Sequence, residues 1–362
     1  MSIQIKLYEK LAKPLFFKID PEVTHDLMTN IGVILGGNFI TRILTSLLFN
    51  YKNKKLRVNV KGIEFPNPVG LAAGFDKNAK LVDLIPSVGF GFEEIGSVTA
   101  NPCKGNPRPR VFRLPKDNAL IINYGLCNEG VEKVVDKLKG KKFKIPIGVS
   151  IAKTNDSAIK GDASVEDYYK SFYFAKHIGD YITINISCPN SGDGRSFEDP
   201  VLLEKLLKKI GKTNKVTFLK LSPDLPKERL DKIISLGSKY KIAGFVLTNL
   251  THDRSKLKTS REFLENKKGG ISGEPVKNKS CDILKYVYKK TKGKFILISV
   301  GGIFTAEDAY ERIKNGASLV QLITGMIYKG PAVIKHINTG LVRLLERDGY
   351  NSITEAIGAD VK

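Results

Sequence analysis

Residues 216–250, VTFLKLSPDLPKERLDKIISLGSKYKIAGFVLTNL, decide the fold. Val216–Leu221 is nearly continuous in apolar character, as expected of a parallel strand buried on both faces. Lys227–Lys239 follows with Leu230, Ile233 and Ile234 at helical spacing, and Gly244–Leu250 is a second apolar run. Strand, helix and strand in close succession form the βαβ unit of a parallel sheet.

The same alternation extends in both directions. Eight apolar runs rich in Val and Ile, bounded by Gly, Pro or charged residues, read as strands: Val69–Ala73, Glu94–Thr99, Ile145–Ala152, Tyr181–Cys188, Val216–Leu221, Gly244–Leu250, Phe295–Val300 and Leu319–Thr324. Helical patterns lie between them at Ala79–Val88, Val131–Leu138, Val165–Ile178, Leu202–Ile210, Lys227–Lys239, Cys281–Lys290 and Ala306–Asn315. Eight such alternations predict an α/β protein with a (β/α)8 TIM barrel. A doubly wound open sheet is the runner-up, but it usually has fewer strands and a GxGxxG after the first, and that fingerprint is absent.

Residues 1–50 differ and are expected to form a small helical extension, with 51–362 as the barrel domain. Leu7, Leu11 and Leu15 share one helical stripe that Pro14 stops or kinks. Asp20-Pro21-Glu22 starts a second helix, with a capping Asp, Pro at the first position and an acidic first turn. Ile40, Ile43, Leu44, Leu47 and Leu48 make an apolar stripe on a third, and Lys6, Lys10, Lys13, Lys18 and Arg42 surround these stripes. Two readings stand: a cap packed on the bottom of the barrel, or amphipathic helices lying in a membrane interface.

Composition bounds the rest. The chain has 362 residues, 42% hydrophobic, which suits one large domain with a small appendage. With 59 Lys+Arg against 37 Asp+Glu the net charge is +22, which favours anionic partners of any kind. Cys103, Cys127, Cys188 and Cys281 show no CxxC pair, no zinc spacing and no disulfide framework, and no metal site is expected. The N-terminus lacks a secretory signal pattern, and no apolar run reaches the ~18 residues of a spanning helix. His177, His252 and His336 have no carboxylate or cysteine pattern near them and read as surface or packing residues.

A TIM barrel places its chemistry at the C-terminal ends of the strands. Those ends read Ala72-Ala73-Gly74-Phe75-Asp76-Lys77, Asn185-Ile186-Ser187-Cys188-Pro189-Asn190, Lys220, Thr248-Asn249, Val300-Gly301-Gly302 and Ile323-Thr324-Gly325. Lys220 sits inside an apolar run, which is costly unless a negative group meets it. Glycine loops after strands seven and eight are the usual phosphate grip of this fold. Two cations, several amides, one thiol and a phosphate grip together suit a planar phosphorylated cofactor beside a polar anionic substrate.

Four segments in this order resemble the signatures of the dihydroorotate dehydrogenase family: Gly70–Lys77, Asn185–Asn190, Gly269–Gly273 and Val300–Ile303. Leu15–His25, Pro109–Leu114 and Ala356–Asp360 resemble the class 2, quinone-using, membrane-associated branch. The resemblance implies oxidation of dihydroorotate to orotate in pyrimidine biosynthesis, with hydride passing to FMN and electrons to a membrane quinone. It places Ala73, Gly74, Lys77, Ser97, Ser150, Asn185, Lys220, Thr248, Gly273, Gly302, Ile323 and Thr324 at the flavin. Lys77, Gly125, Leu126, Asn185, Asn190, Asn249 and Leu250 match substrate-binding positions, and His25 and Arg113 match the quinone path. Cys188 falls at the catalytic base. The implied location is the cytoplasmic face of a bacterial inner membrane, held peripherally by the N-terminal helices.

Two features depart from the class 2 pattern. Cys188 stands where that branch carries Ser, and Cys belongs to class 1. In Ile122-Asn123-Tyr124-Gly125-Leu126, Ile122 replaces a substrate-binding Asn, Asn123 an Arg and Leu126 a Phe. The alternatives are therefore a class 1 acceptor, fumarate or NAD, and an FMN-dependent tRNA dihydrouridine synthase. The second is disfavoured because no added C-terminal helical RNA domain is expected after residue 340 and the Asn185/Asn190 frame fits a small ligand, so nucleic acid is not an expected partner.

Overall fold

Each of the eight apolar runs becomes a strand. The computed structural model describes residues 3–187 and 197–361. Its strands β1 (Val69–Leu71), β2 (Phe92–Val98), β3 (Ile147–Ile151), β4 (Tyr181–Asn185), β5 (Val216–Leu221), β6 (Gly244–Leu247), β7 (Ile296–Val300) and β8 (Leu319–Leu322) close into one parallel barrel. Neighbours around the barrel are neighbours in the chain, and β8 returns to β1 with Val320 opposite Val69 and Leu322 opposite Leu71. The (β/α)8 expectation holds. The observed strands end earlier than the apolar runs where the chain turns outward to build loops, as at Ala72, Ile186 and Thr248.

The interior is packed by pairing large residues with small ones. A Cβ on Gly148 of β3 would run into the Tyr181 ring of β4, and one on Gly70 of β1 into the Phe92 ring of β2. Glycine at these points lets an aromatic ring fill the barrel without a void. Helices Val131–Leu138 and Lys227–Lys239 form as expected, burying Val131, Val134 and Leu138 on one, and Leu230, Ile233 and Ile234 on the other.

The expected helix over 79–88 is a correction. Only Ile85–Val88 is helical. The Asp76 carboxylate accepts from the Lys80 and Leu81 amides at 2.8 and 2.6 Å, and this side-chain cap competes with a regular helix. The structure also adds elements that periodicity did not suggest. Val58–Val60 and Ile63–Phe65 form a short antiparallel pair before β1. Val111–Leu114, Ala119–Ile122 and Gly270–Gly273 form an antiparallel sheet outside the barrel, with its own core of Leu114, Ala119, Ile121, Leu264 and Ile271.

The N-terminal segment is helical over Ile3–Leu7, Tyr8–Ala12 and Lys13–Lys18, the middle turn widened to π-type just ahead of Pro14. Pro21–Gly37 follows, its first amides capped by Asp20 at 2.9 and 3.0 Å, and Phe39–Phe49 leaves it at 112°. The segment fastens to elements beyond the strand ends. The Tyr8 hydroxyl donates to the Ile327 carbonyl at 2.8 Å, Lys329 pairs with Glu9 at 2.7 Å, and Arg113 donates to the Ile19 carbonyl at 2.6 Å. Gly32 and Gly36 lie against Leu81 and Leu84, which follow β1. These attachments, made to segments that follow β1, β2 and β8, argue against a cap on the barrel bottom. Among the described residues, seventeen of the twenty exposed large apolar side chains lie within residues 3–48, so this segment's outer face is unlike the rest of the surface.

Candidate functional site

The C-terminal ends of β2, β3, β4 and β6 bring a row of polar groups together. The Ser97 and Ser150 hydroxyls are 2.7 Å apart, and the Asn185 amide donates to Ser97 at 3.0 Å. The Ser187 hydroxyl donates to the Asn185 side-chain oxygen Oδ1 at 3.0 Å, and the Asn249 amide donates to Ser187 at 2.9 Å. Tyr168 holds the Asn185 backbone from outside the barrel at 2.8 Å. These residues are distant in sequence, and only barrel closure puts them in one line.

Below this row the barrel holds a charge. Lys220 on β5 is 5% exposed, with its ammonium 4.0 Å from a Glu94 carboxylate oxygen on β2. The other Glu94 oxygen accepts from Thr183 at 2.9 Å, Gln321 at 3.1 Å and Tyr181 at 3.4 Å. Burial lowers the Lys220 pKa, opposed by Glu94. A buried lysine whose carboxylate partner stands at the far limit of an ion pair keeps ammonium donors free for an anionic ligand above it.

These groups line a cavity of about 800 Å3. Around its inner part stand Ala73, Gly74, Lys77, Ser97, Asn185, Lys220, Thr248, Asn249 and Leu250, with Gly273, Gly302, Ile323 and Thr324. Gly125 and Leu126 line it as well. Ser150 does not; it is fully buried behind Ser97. Gly302 has φ +70, and a Cβ there would collide with Lys277, so the turn after β7 requires glycine. The Ser272 and Thr324 hydroxyls meet at 2.8 Å beside this turn.

The cavity continues outward between the barrel and the N-terminal helices. Tyr8, Phe16, Phe17, His25, Met28 and Arg113 line that part, so the whole lining is far more apolar than polar. His25 bridges to the Phe75 carbonyl at 2.9 Å and lies edge-on to the Phe75 ring. Burial, then the nearby Lys77 charge, hold the His25 pKa below its ordinary value. Arg113 donates to the Thr24 hydroxyl at 3.0 Å and stands over the Phe17 ring, 4.8 Å from its centroid. Cys188 and Asn190 lie outside the described residues.

Several residues of the cavity wall were not among the expected site residues. Tyr124 receives the Lys77 ammonium over its ring at 3.9 Å, and burial brings the Lys77 pKa down to about 8. Cys127 and Asn123 also line the cavity, the Asn123 side chain accepting from Asn106 at 2.9 Å. Tyr124 and Asn123 adjoin the Gly125-Leu126 turn, and this adjacency was the available clue. His252, read as a surface or packing residue, lies on the cavity wall.

Residues 55–345 match the profile of the family described as dihydroorotate dehydrogenase. This chain belongs to the dihydroorotate dehydrogenase family. Relatives named dihydroorotate dehydrogenase (quinone) match nearly end to end: one from Trichodesmium erythraeum is 38% identical over 98% of this chain and 99% of its own length. One from Roseiflexus sp. is 40% identical over 97% and 98%. Two crystal structures from Eimeria tenella are similar in fold. The dihydroorotate dehydrogenase in complex with ferulenol has TM-score 0.82 and 31% identity, covering 94% of this chain and 96% of that one. The ligand-free form has TM-score 0.77 and 30% identity, covering 94% and 99%. As a dihydroorotate dehydrogenase, the chain has the cavity at the barrel end where this fold carries its chemistry.

Proposed function

We propose that this enzyme oxidises dihydroorotate to orotate in pyrimidine biosynthesis, using bound FMN, and delivers the electrons to a membrane quinone. One observation carries the reading: a single cavity joins the Lys220–Asn185–Gly302 end of the barrel to an apolar mouth formed by the N-terminal helices. A polar inner end suits a flavin and an anionic substrate, and an apolar mouth suits a quinone ring and its tail. The full-length relatives named for quinone favour this over fumarate, NAD or a tRNA substrate.

FMN fits the donor set. Gly273, Gly302 and Thr324 would hold its phosphate, while Ser97, Asn185, Thr248 and Lys220 would face its ring system. Bound FMN would supply the hydride-accepting and electron-carrying chemistry. The protein's part is to hold the substrate and move a proton. Lys77 would meet the substrate carboxylate, with Asn185, Asn190 and Asn249 on the ring edges. Cys188 would take the C5 proton as the C5=C6 bond forms. Lys220 would offset negative charge developing on the reduced cofactor. Ile122 contributes no amide at the position it fills, and Asn123 lines the cavity beside it.

Residues 1–50 form the quinone-access unit and 51–362 the catalytic barrel in this reading. The exposed apolar helices attach the enzyme peripherally to the cytoplasmic face of a bacterial inner membrane. Steady-state turnover of the full chain with ubiquinone or menaquinone analogues, fumarate and NAD tests the acceptor. Quinone turnover well above the other two is expected; fumarate or NAD turnover equal to it refutes the assignment.

A further inference from the structure

The extension does more at the site than form the mouth of the cavity. Glu22, in the first turn of the Pro21–Gly37 helix, is buried against Arg110. The Arg110 Nη2 donates to Glu22 Oε1 at 2.6 Å, and its Nε lies 3.1 and 3.2 Å from the two carboxylate oxygens. Arg108 adds a third donor at 3.0 Å. The Arg110 Nη1 donates to the Lys104 and Asn106 carbonyls, both at 2.9 Å, which fixes the plane of the guanidinium. That guanidinium stands 5.2 Å from the Tyr124 ring centroid, and the same ring carries the Lys77 ammonium at 3.9 Å. Arg110 also accepts from the Asn123 amide at 2.8 Å, so the Asn123–Leu126 loop is tied to the residue that Glu22 holds.

We propose that Glu22 is a positioning residue for the substrate: through Arg110 and Tyr124 it holds the Lys77 ammonium where the substrate carboxylate binds. The inference rests on the reading of Lys77 as the substrate cation.

The electrostatics give it a sign. Lys77 faces Glu22, His25 and Asp26 from the helix, Arg110 from the strand side, and Tyr124 and Cys127 from the loop. Arg108 lies farther out, bonded to Glu22 and 3.7 Å from Asp26. Burial is the largest cause lowering the Lys77 pKa; Cys127 opposes that fall most, then Glu22 and Asp26, and Arg110 adds to it. His25 is neutral above pH 7, since its own pKa is lowered. Removing the Glu22 charge leaves Arg110 uncompensated and lowers the Lys77 pKa further. A lysine binds a carboxylate only while protonated, so anion binding is then lost at lower pH.

Calorimetric titration of orotate into the FMN-loaded enzyme between about pH 6.5 and 9.5 reads this directly, alongside the KM for dihydroorotate. In the wild type, affinity weakens as pH rises through about 8. In Glu22→Gln the weakening moves to lower pH by roughly 0.5–1 unit, with KM raised several-fold near pH 8 and the KM for quinone little changed. In Arg110→Gln it moves to higher pH. The double variant, which buries no lone charge, returns toward the wild-type profile and serves if either single variant misfolds. A purely structural role for the pair would weaken all variants without moving the profile. Coincident profiles in Glu22→Gln and wild type, or a double variant no nearer the wild type than either single one, overturn the proposal. Lys77→Met separates the two readings: an unchanged orotate affinity there refutes Lys77 as the substrate cation, while a large loss with an unmoved Glu22→Gln profile refutes only the role of Glu22.

Discussion

In the proposed reading Cys188 would decide how the enzyme removes the C5 proton, with a thiol rather than a hydroxyl as the base. A free thiol ionises near pH 8.5, within reach of an enzyme working near neutrality, whereas a serine hydroxyl needs far more help. A general base contributes typically about 10²–10⁴-fold to a rate. Cys188→Ala is therefore expected to slow flavin bleaching by dihydroorotate by about that factor, followed by stopped-flow absorbance. Cys188→Ser is expected to retain part of the rate. An alanine variant that bleaches at the wild-type rate removes Cys188 from the mechanism. Lys220 was legible in the sequence for a related reason: a lysine inside an apolar run demands a partner. Its partner was not legible, because Glu94 and Lys220 lie on β2 and β5 and meet only through barrel closure.

At the scale of elements, what could be read depended on whether burial leaves a local pattern. The barrel strands are buried on both faces, so they stand out as apolar runs, and Val216–Leu221 matches its run end to end. The strands Val111–Leu114 and Ala119–Ile122 are only four residues long, and their third partner, Gly270–Gly273, comes about 150 residues later in the chain. Nothing local announces that pairing. The Glu22–Arg110 contact is hidden for the same reason, spanning 88 positions. The helices of residues 3–49 were legible as amphipathic, and their attachment was not. Ile40, Leu44 and Leu47 stay 65%, 54% and 70% exposed on the Phe39–Phe49 helix, away from the barrel. Burying a Leu side chain contributes about 1.5–3 kcal/mol. Leu44→Asp with Leu47→Asp is thus expected to weaken binding to phospholipid vesicles by on the order of a hundredfold or more, read by co-sedimentation. Circular dichroism and flavin content should stay as in the wild type, because neither side chain packs into the core. Undiminished vesicle binding would mean that another surface holds the membrane.

For the whole molecule, the two ends of one cavity make opposite demands on the surroundings. In the proposed reading the inner end would bind an anionic substrate from water, while the apolar mouth would open toward a phase that dissolves quinone. The net charge of +22 and the apolar outer face of residues 3–48 satisfy both if the extension lies on an anionic bilayer, with Lys6, Lys10, Lys13 and Lys18 near the headgroups. Each Lys or Arg near such a surface contributes about 1 kcal/mol, within a Debye length of about 10 Å at 0.1 M salt that shrinks to about 3 Å at 1 M. Raising salt should therefore release the enzyme from anionic vesicles, while a weaker, apolar part of the binding persists. Turnover with a long-tailed quinone embedded in those vesicles should fall with the bound fraction. Reduction of the bound flavin by dihydroorotate should fall less, because it needs no membrane and is screened only at the buried Lys77. Measuring both rates and vesicle binding across one salt series separates the two halves of the reaction. If quinone turnover holds steady while the protein leaves the vesicles, electrons reach the acceptor by a route that does not pass through the N-terminal mouth.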